Sequence, residues 1–314
     1  MVVPDAVFEF DRVSKSYATH LSLRRGWILR DLSFAVRAGE IFGYLGPNGA
    51  GKTTTIRLAL GILFPDGGRI RLFGEPAARV RLRERIGFLP ENPYFYDYLS
   101  GEEFLDFYAR LLGLPAGRRR ERIPYLLDLV DLGNRGDRQL RKYSKGMLQR
   151  IGLAQALLNE PDLVILDEPM SGLDPMGRRQ VRDIILDLRR QGKTIFFSSH
   201  ILQDAEMICD RVGILDRGRL IACGPLQELL GRRTEFWEVT FSGCRPNLAR
   251  FQAELVSSGN GESLVRLSAE ADLEAFLQEI HALQGSLHAL QPQRATLEDF
   301  FLSEIRQRRQ GGAA

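Results

Sequence analysis

The sequence predicts an α/β fold: a mostly parallel sheet, an antiparallel β region before it, a helical subdomain inserted into it, and a small C-terminal α+β domain. Three observations lead there. Short apolar runs alternate with longer helical patterns, as parallel strands joined by right-handed crossovers require. Four of the runs, 86–89, 163–166, 194–197 and 212–215, show little polar alternation, which suits strands covered on both faces. Between Pro93 and Leu158 the strand signal vanishes and helical runs take over.

The elements follow in order. Residues 7–10 and 27–36 read as strands of the antiparallel region, and 40–45 as a strand running into a glycine-rich turn. A helix starts near Lys52 and fades near Gly61. The strand at 86–89 precedes helical runs at 101–112 and 123–130, then a periodic helix capped by Ser144 and ending near Leu158. Beyond Pro225 the character changes. Residues 236–241, 263–267 and 286–290 read as strands, and 248–257, 272–283 and 296–306 as helices, with a frayed tail at 306–314. A chain of 314 residues exceeds one compact core, so the expected domains are 1–230, with the helical subdomain at about 93–158, and 231–314.

Composition narrows the function. A net charge of +3 supplies no strong field, and no nucleic-acid partner is expected. Arg118, Arg119, Arg120 and Arg122 read as a solvated face. Cys209, Cys223 and Cys244 lack CxxC spacing, which fits a reducing compartment and neither a disulfide scaffold nor a zinc site. His281 and His288 lie a heptad apart in what reads as an amphipathic stretch, where a structural role is expected. The first five residues lack the features of a signal peptide, and no run approaches eighteen apolar residues. Any membrane role is therefore expected to come through a partner.

Two segments carry phosphate chemistry. Gly46-Pro47-Asn48-Gly49-Ala50-Gly51-Lys52-Thr53 fits G-x-x-x-x-G-K-[ST], with a strand before it and a helix after it. Glycines let successive N–H groups face one point, and the helix N-terminus adds partial positive charge there. Lys52 suits the β- and γ-phosphates of ATP, Thr53 suits Mg²⁺, and Thr54 continues the cradle. In Leu163-Val164-Ile165-Leu166-Asp167-Glu168-Pro169 an apolar strand ends in two carboxylates. Asp167 suits the Mg²⁺ site, and Glu168 is the candidate general base for the attacking water. The core is thus expected to be a P-loop NTPase (RecA-like) fold.

Kinases and GTPases also use P-loops, so the cradle alone does not name the function. The deciding segment is Tyr143-Ser144-Lys145-Gly146-Met147-Leu148-Gln149-Arg150. A serine, a glycine and bare N–H groups at a helix start form a second anion site, which asks for a second nucleotide. Here the sequence resembles the ABC (ATP-binding cassette) family, whose signature reads Leu-Ser-Gly-Gly-Gln. Ser144 and Gly146 match it; Tyr143, Lys145 and Met147 depart toward the drug-exporter-like branch. The resemblance spans about residues 7–230. It implies that Tyr17 stacks on adenine, that Ser171-Gly172-Leu173-Asp174 is the D-loop, and that His200 is the switch histidine near the γ-phosphate. Glu91 stands where the family has glutamine, as a candidate Mg²⁺ contact. Residues 295–302 resemble the ending of many exporter ATPases.

The resemblance implies an ATP-hydrolysing subunit that dimerises with a second ATPase subunit, a copy or a close paralogue, around two Mg-ATP. It implies an integral membrane permease on another chain and a place at the cytoplasmic face of the membrane. The aromatic run 93–99 either lines a groove for a permease helix or packs the helical subdomain. The competing reading is a soluble ABC-type ATPase not coupled to transport; a P-loop kinase or GTPase leaves residues 144–150 unexplained.

Overall fold

The computed structural model describes residues 6–19, 22–230, 234–259, 261–269, 271–294, 296–302 and 304. The expectations for the first five residues, for Ala295, for the end of the 296–306 helix and for the 306–314 tail lie outside the described residues. The chain divides into two compact units, residues 1–226 and 227–314.

In the first unit, β1 (Ala6–Thr19) and β2 (Ser22–Arg37) form a long antiparallel pair. Then come β3 (Ile41–Leu45), α1 (Lys52–Ala59), β4 (Gly67–Leu72), β5 (Glu75–Pro76) and β6 (Ile86–Leu89). Helices α2 (Gly101–Leu111), α3 (Ala116–Leu129) and α4 (Lys145–Ala156) make the helical subdomain. The chain returns through β7 (Leu163–Asp167), α5 (Pro175–Arg190), β8 (Thr194–Ser199), α6 (Leu202–Ile208), β9 (Arg211–Asp216) and β10 (Arg219–Pro225). The sheet order is β10-β9-β3-β8-β7-β6, parallel except for edge strand β10. Every residue of β3, β7 and β8 is buried, which is why those runs show no alternation.

The antiparallel sheet has the order β2-β1-β4-β5. Between it and the parallel sheet lies an aromatic core. Phe10 stacks on Phe34 at 4.9 Å, Phe34 on Phe42 at 5.7 Å, and Phe42 on Phe196 at 5.8 Å. Rings this close contribute beyond the area they bury. Of the α3 arginines, Arg118 and Arg120 are exposed as a solvated face would be, while Arg119 and Arg122 are half-buried and make contacts. Arg119 Nε lies 2.7 Å from Asp106 of α2, and Arg122 donates to the Leu157 carbonyl at the end of α4. The helix starts seven residues before the expected 123 and tolerates Pro124 within it.

The second unit follows a short turn, α7 (Leu226–Leu229). It contains β11 (Thr234–Ser242), β12 (Ala253–Gly259), β13 (Glu262–Ser268), α8 (Leu273–Ala282) and β14 (Ser286–Arg294), in sheet order β12-β13-β11-β14. Val239, Phe241, Val265 and Leu267 bury against Phe276 and Ile280 of α8. The helix expected at 248–257 is absent. A 3₁₀ turn at Leu248–Phe251 ends at Gln252, which is left-handed (φ 51°), and the chain then joins the sheet as β12 beside β13. Left-handed backbone cannot continue a helix. His281 and His288 fall on α8 and β14 rather than on one amphipathic stretch, and His288 Nε2 lies 2.7 Å from Ser242 Oγ. Residues 297–302 are helical after a Thr296–Asp299 cap, with Leu297 fully buried.

Candidate nucleotide site

Parallel β-sheets gather chemistry at the carboxyl ends of their strands. Pairing Leu45 with Ser199 and Asp167 with Ser198 brings the ends of β3, β7 and β8 to one edge. From that edge emerge the 46–52 loop, Glu168 and His200. Glycine is needed in the loop. A Cβ on Gly46 would sit 2.2 Å from the Leu215 carbonyl oxygen, and Gly51, at φ 113°, would meet Leu29 at 2.5 Å. Gly51 then starts α1, with Lys52 as its first residue. Pro47, Asn48 and Gly49 are exposed, Ala50 is buried, and Thr53 and Thr54 are half-buried on the first turn of the helix.

Lys52 is buried, and its ammonium donates to the carbonyls of Gly46 (2.7 Å) and Pro47 (3.2 Å). The same Nζ lies 3.1 Å from Glu168 Oε1, a close ion pair without hydrogen-bond alignment. The other oxygen, Oε2, lies 2.8 Å from His200 Nδ1 and accepts the His200 backbone N–H at 3.4 Å. Three of the expected catalytic groups therefore meet at one carboxylate.

Ser198 holds the two acids in place. Its fully buried hydroxyl donates to Asp167 Oδ1 at 2.6 Å and accepts the Glu168 N–H at 3.0 Å. Glu168 sits at φ 51°, a conformation that costs a non-glycine residue about 1–3 kcal/mol and persists only when its surroundings enforce it. Burial pushes the Asp167 carboxyl up, while the Ser198 and Thr53 hydroxyls and Lys52 pull it back. A fully buried hydroxyl at the end of an apolar strand needs a partner, and that was the signal by which Ser198 could have been found in the sequence.

The signature segment lies apart from this cluster. Ser144 caps α4 by accepting the Met147 N–H, and both Ser144 and Lys145 are exposed. A Cβ on Gly146 would meet no described atom within 4 Å. The departures from the signature have structural explanations. Tyr143 is buried and its hydroxyl donates to the Arg135 carbonyl; Met147 is buried against the Arg135 guanidinium. Lys145 reaches across to Gly172, where a side chain would collide with its ammonium. Asp174 is exposed and caps α5 through the Gly177 N–H at 2.7 Å. Tyr17 is 42% exposed on β1. Glu91 is exposed two residues beyond β6, whose neighbour β7 ends in Asp167. Among the described residues no hydrogen bond or ion pair brings Tyr17, Glu91, Ser144, Gly146 or Asp174 to the Lys52–Glu168–His200 cluster.

Comparison with known proteins decides the family. The ABC transporter family model matches residues 29–171. The chain is 47% identical over 279 residues to an uncharacterized ABC transporter ATP-binding protein of Nostoc sp., covering 88% of this chain and 83% of that one. This chain belongs to the ABC transporter ATP-binding proteins. It is also 37% identical over 286 residues, 88% of each chain, to Nod factor export ATP-binding protein I of Ralstonia nicotianae. A solved ATP-binding subunit of an ABC transporter superposes with a TM-score of 0.62 at 34% identity, covering 71% of this chain and 91% of that one. The first unit is accordingly the P-loop core of an ABC ATPase, and the protein is an ATP-binding subunit that hydrolyses ATP. No helix among the described residues is long and apolar enough to cross a membrane.

Proposed function

We propose that this ABC subunit works as an export motor, closing with a second ATPase subunit on two Mg-ATP and passing the motion to a separate integral membrane permease. One observation carries the reading: the Ser144–Gly146 helix start is exposed and open, and within the described chain it bonds to nothing in the 46–53 cradle. A second chain offering its own cradle would complete it. Closing from 1% to 99% needs about 5.5 kcal/mol of differential binding. Two triphosphates held by charge-assisted hydrogen bonds are suited to supply it. The second subunit is a copy or a close paralogue.

Within each site Glu168 accepts a proton from the attacking water, while the loop N–H groups and Lys52 hold the phosphates. His200 keeps Glu168 oriented, and its ring faces the γ-phosphate end. Tyr17 stacks on adenine, and Asp174 and the rest of the D-loop meet the partner subunit. The oxygens of Thr53 and Asp167 fit a hard divalent cation, with Glu91 at the same sheet edge as a third candidate. Mg²⁺ held there would neutralise charge developing on the phosphates.

Export is supported by the likeness to Nod factor export ATP-binding protein I. The docking surface is argued from the aromatic run. Phe95 packs on Phe104 and Tyr96 on Phe107, each at 5.4 Å, so those rings build the helical subdomain. Tyr94 and Tyr98 are 80% and 61% exposed and free to anchor a permease helix. On this reading the subunit works at the cytoplasmic face of the membrane, held there by the permease. The test is size-exclusion chromatography of Glu168→Gln with ATP and Mg²⁺. A stable dimer that disperses without nucleotide is expected; a monomer under both conditions contradicts the reading. Failure of detergent-solubilised membranes to yield a copurifying permease would contradict the transport role alone.

A further inference from the structure

Asp66 occupies the turn between α1 and β4 and grips the strand segment just before Tyr17. Its Oδ2 accepts both the Ser16 N–H and the Ser16 hydroxyl, each at 2.7 Å. Its Oδ1 lies 3.1 Å from Lys15 Nζ, and its own N–H donates to the Ser14 carbonyl at 2.9 Å. Lys15 Nζ in turn lies 5.8 Å from the centroid of the Tyr17 ring. One residue thus contacts three successive residues of β1.

Beyond Ser14 the sheet holds this segment from one side only, through the pairs Ser16–Trp27 and Tyr17–Gly26 with β2. Pairing of β1 with β4 ends at Ser14–Gly67. Pairing with β2 is irregular between Val13 and Lys15 and again between Lys15 and Ser16. A bulge bends its strand and raises the local twist, so a fixed contact beside it helps decide where the following side chains aim. Asp66 supplies that fixing point, and it comes six residues after the cap of the helix whose first residue is Lys52. The contact therefore ties the segment that aims Tyr17 to the helix that starts at the phosphates.

We propose that Asp66 is a positioning residue that sets the distance between Tyr17 and the Lys52 helix, and so gives the site its preference for a nucleoside triphosphate over bare polyphosphate. This rests on the reading of Tyr17 as the adenine-stacking residue. Asp66 touches no part of the nucleotide; it acts through Ser16 and Lys15 on Tyr17.

The test measures dissociation constants of the full chain for ATP and for inorganic tripolyphosphate, both with Mg²⁺, in the parent, Tyr17→Ala, Asp66→Asn, Ser16→Ala and Tyr17→Ala/Asp66→Asn. Asp66→Asn and Ser16→Ala are expected to weaken ATP about five- to tenfold, as loss of charge-assisted bonds should. Tripolyphosphate binding should be unchanged, and Asp66→Asn should add nothing once Tyr17 is alanine. Equal weakening of both ligands, or full additivity in the double variant, would reduce Asp66 to a structural residue. Unchanged ATP affinity in Asp66→Asn beside a weakened Tyr17→Ala overturns the proposal alone. Unchanged affinity in Tyr17→Ala overturns the reading of Tyr17 and the proposal with it. Should Asp66→Asn fail to fold, Ser16→Ala decides the same question.

Discussion

Glu168 gathers the chemistry of the site onto one side chain. Lys52 touches one of its oxygens, His200 the other, and Ser198 receives its N–H. Each contact restrains the carboxylate proposed to take the proton from water. Glu168→Gln preserves the shape and removes the proposed base, so ATP should still bind while hydrolysis falls by about 10²- to 10⁴-fold; single-turnover kinetics separate the two. Ser198→Ala should act differently. It removes the hydroxyl that supports a strained φ of 51° and leaves Asp167 with one donor fewer, in a site where burial already pushes its carboxyl up. A buried group stripped of its partner costs about 1–3 kcal/mol, so both the melting temperature and kcat should drop. Unaltered kcat in Ser198→Ala would mean that the hydroxyl does not set the carboxylates. Asp66 was illegible in the sequence because its partner Ser16 lies 50 positions away, and Ser198, whose partner Asp167 lies 31 away, offered only the signal of a hydroxyl ending an apolar strand.

The elements that carry motifs were the legible ones. Strands β3, β7 and β8 are buried on both faces, so their apolar runs stand out, and the residues just after them could be named as the candidate site. Ser144 at the start of α4 was legible for a similar reason, since a serine before a periodic run has a local job. Strand β12 was not legible. Leu255 and Val256 are exposed on it, and its pairing with β13 is a tertiary fact that 248–257 alone does not encode. Strand β4 was passed over because Arg69 and Arg71 break its apolar pattern. Two predictions belong to elements. Gly46→Ala should weaken nucleotide binding and lower stability together, because its Cβ would sit 2.2 Å from a backbone oxygen that cannot step aside. Equal ATP affinity in that variant would contradict the tight fit of loop against β9. The second concerns pH. Contacts with Ser16 and Lys15 hold the Asp66 carboxyl at about 2 instead of 3.8. A depressed carboxylate stabilises the fold above its unfolded value, and that contribution is lost as pH falls through the folded value. The melting-temperature gap between the parent and Asp66→Asn should therefore be full above pH 3.8 and shrink toward about pH 2. A gap independent of pH would show that the charge on Asp66 is not what binds the strand.

At the scale of the whole molecule the proposed function requires that no single copy completes its own chemistry. The cradle and the acids sit at one sheet edge, while the open helix start at Ser144 and Gly146 makes no described bond to them. The second unit has its own core around Phe276, so residues 227–314 form a fold of their own rather than an extension of the sheet. The most direct test of the two-chain site is mixing. Lys52→Ala disables the cradle, and Ser144→Arg blocks the helix start. A mixed pair of the two variants contains one site built from an intact cradle and an intact helix start, whereas neither variant alone contains any. ATPase activity well above the sum of the separate variants is the result expected; a mixture no more active than that sum would contradict it.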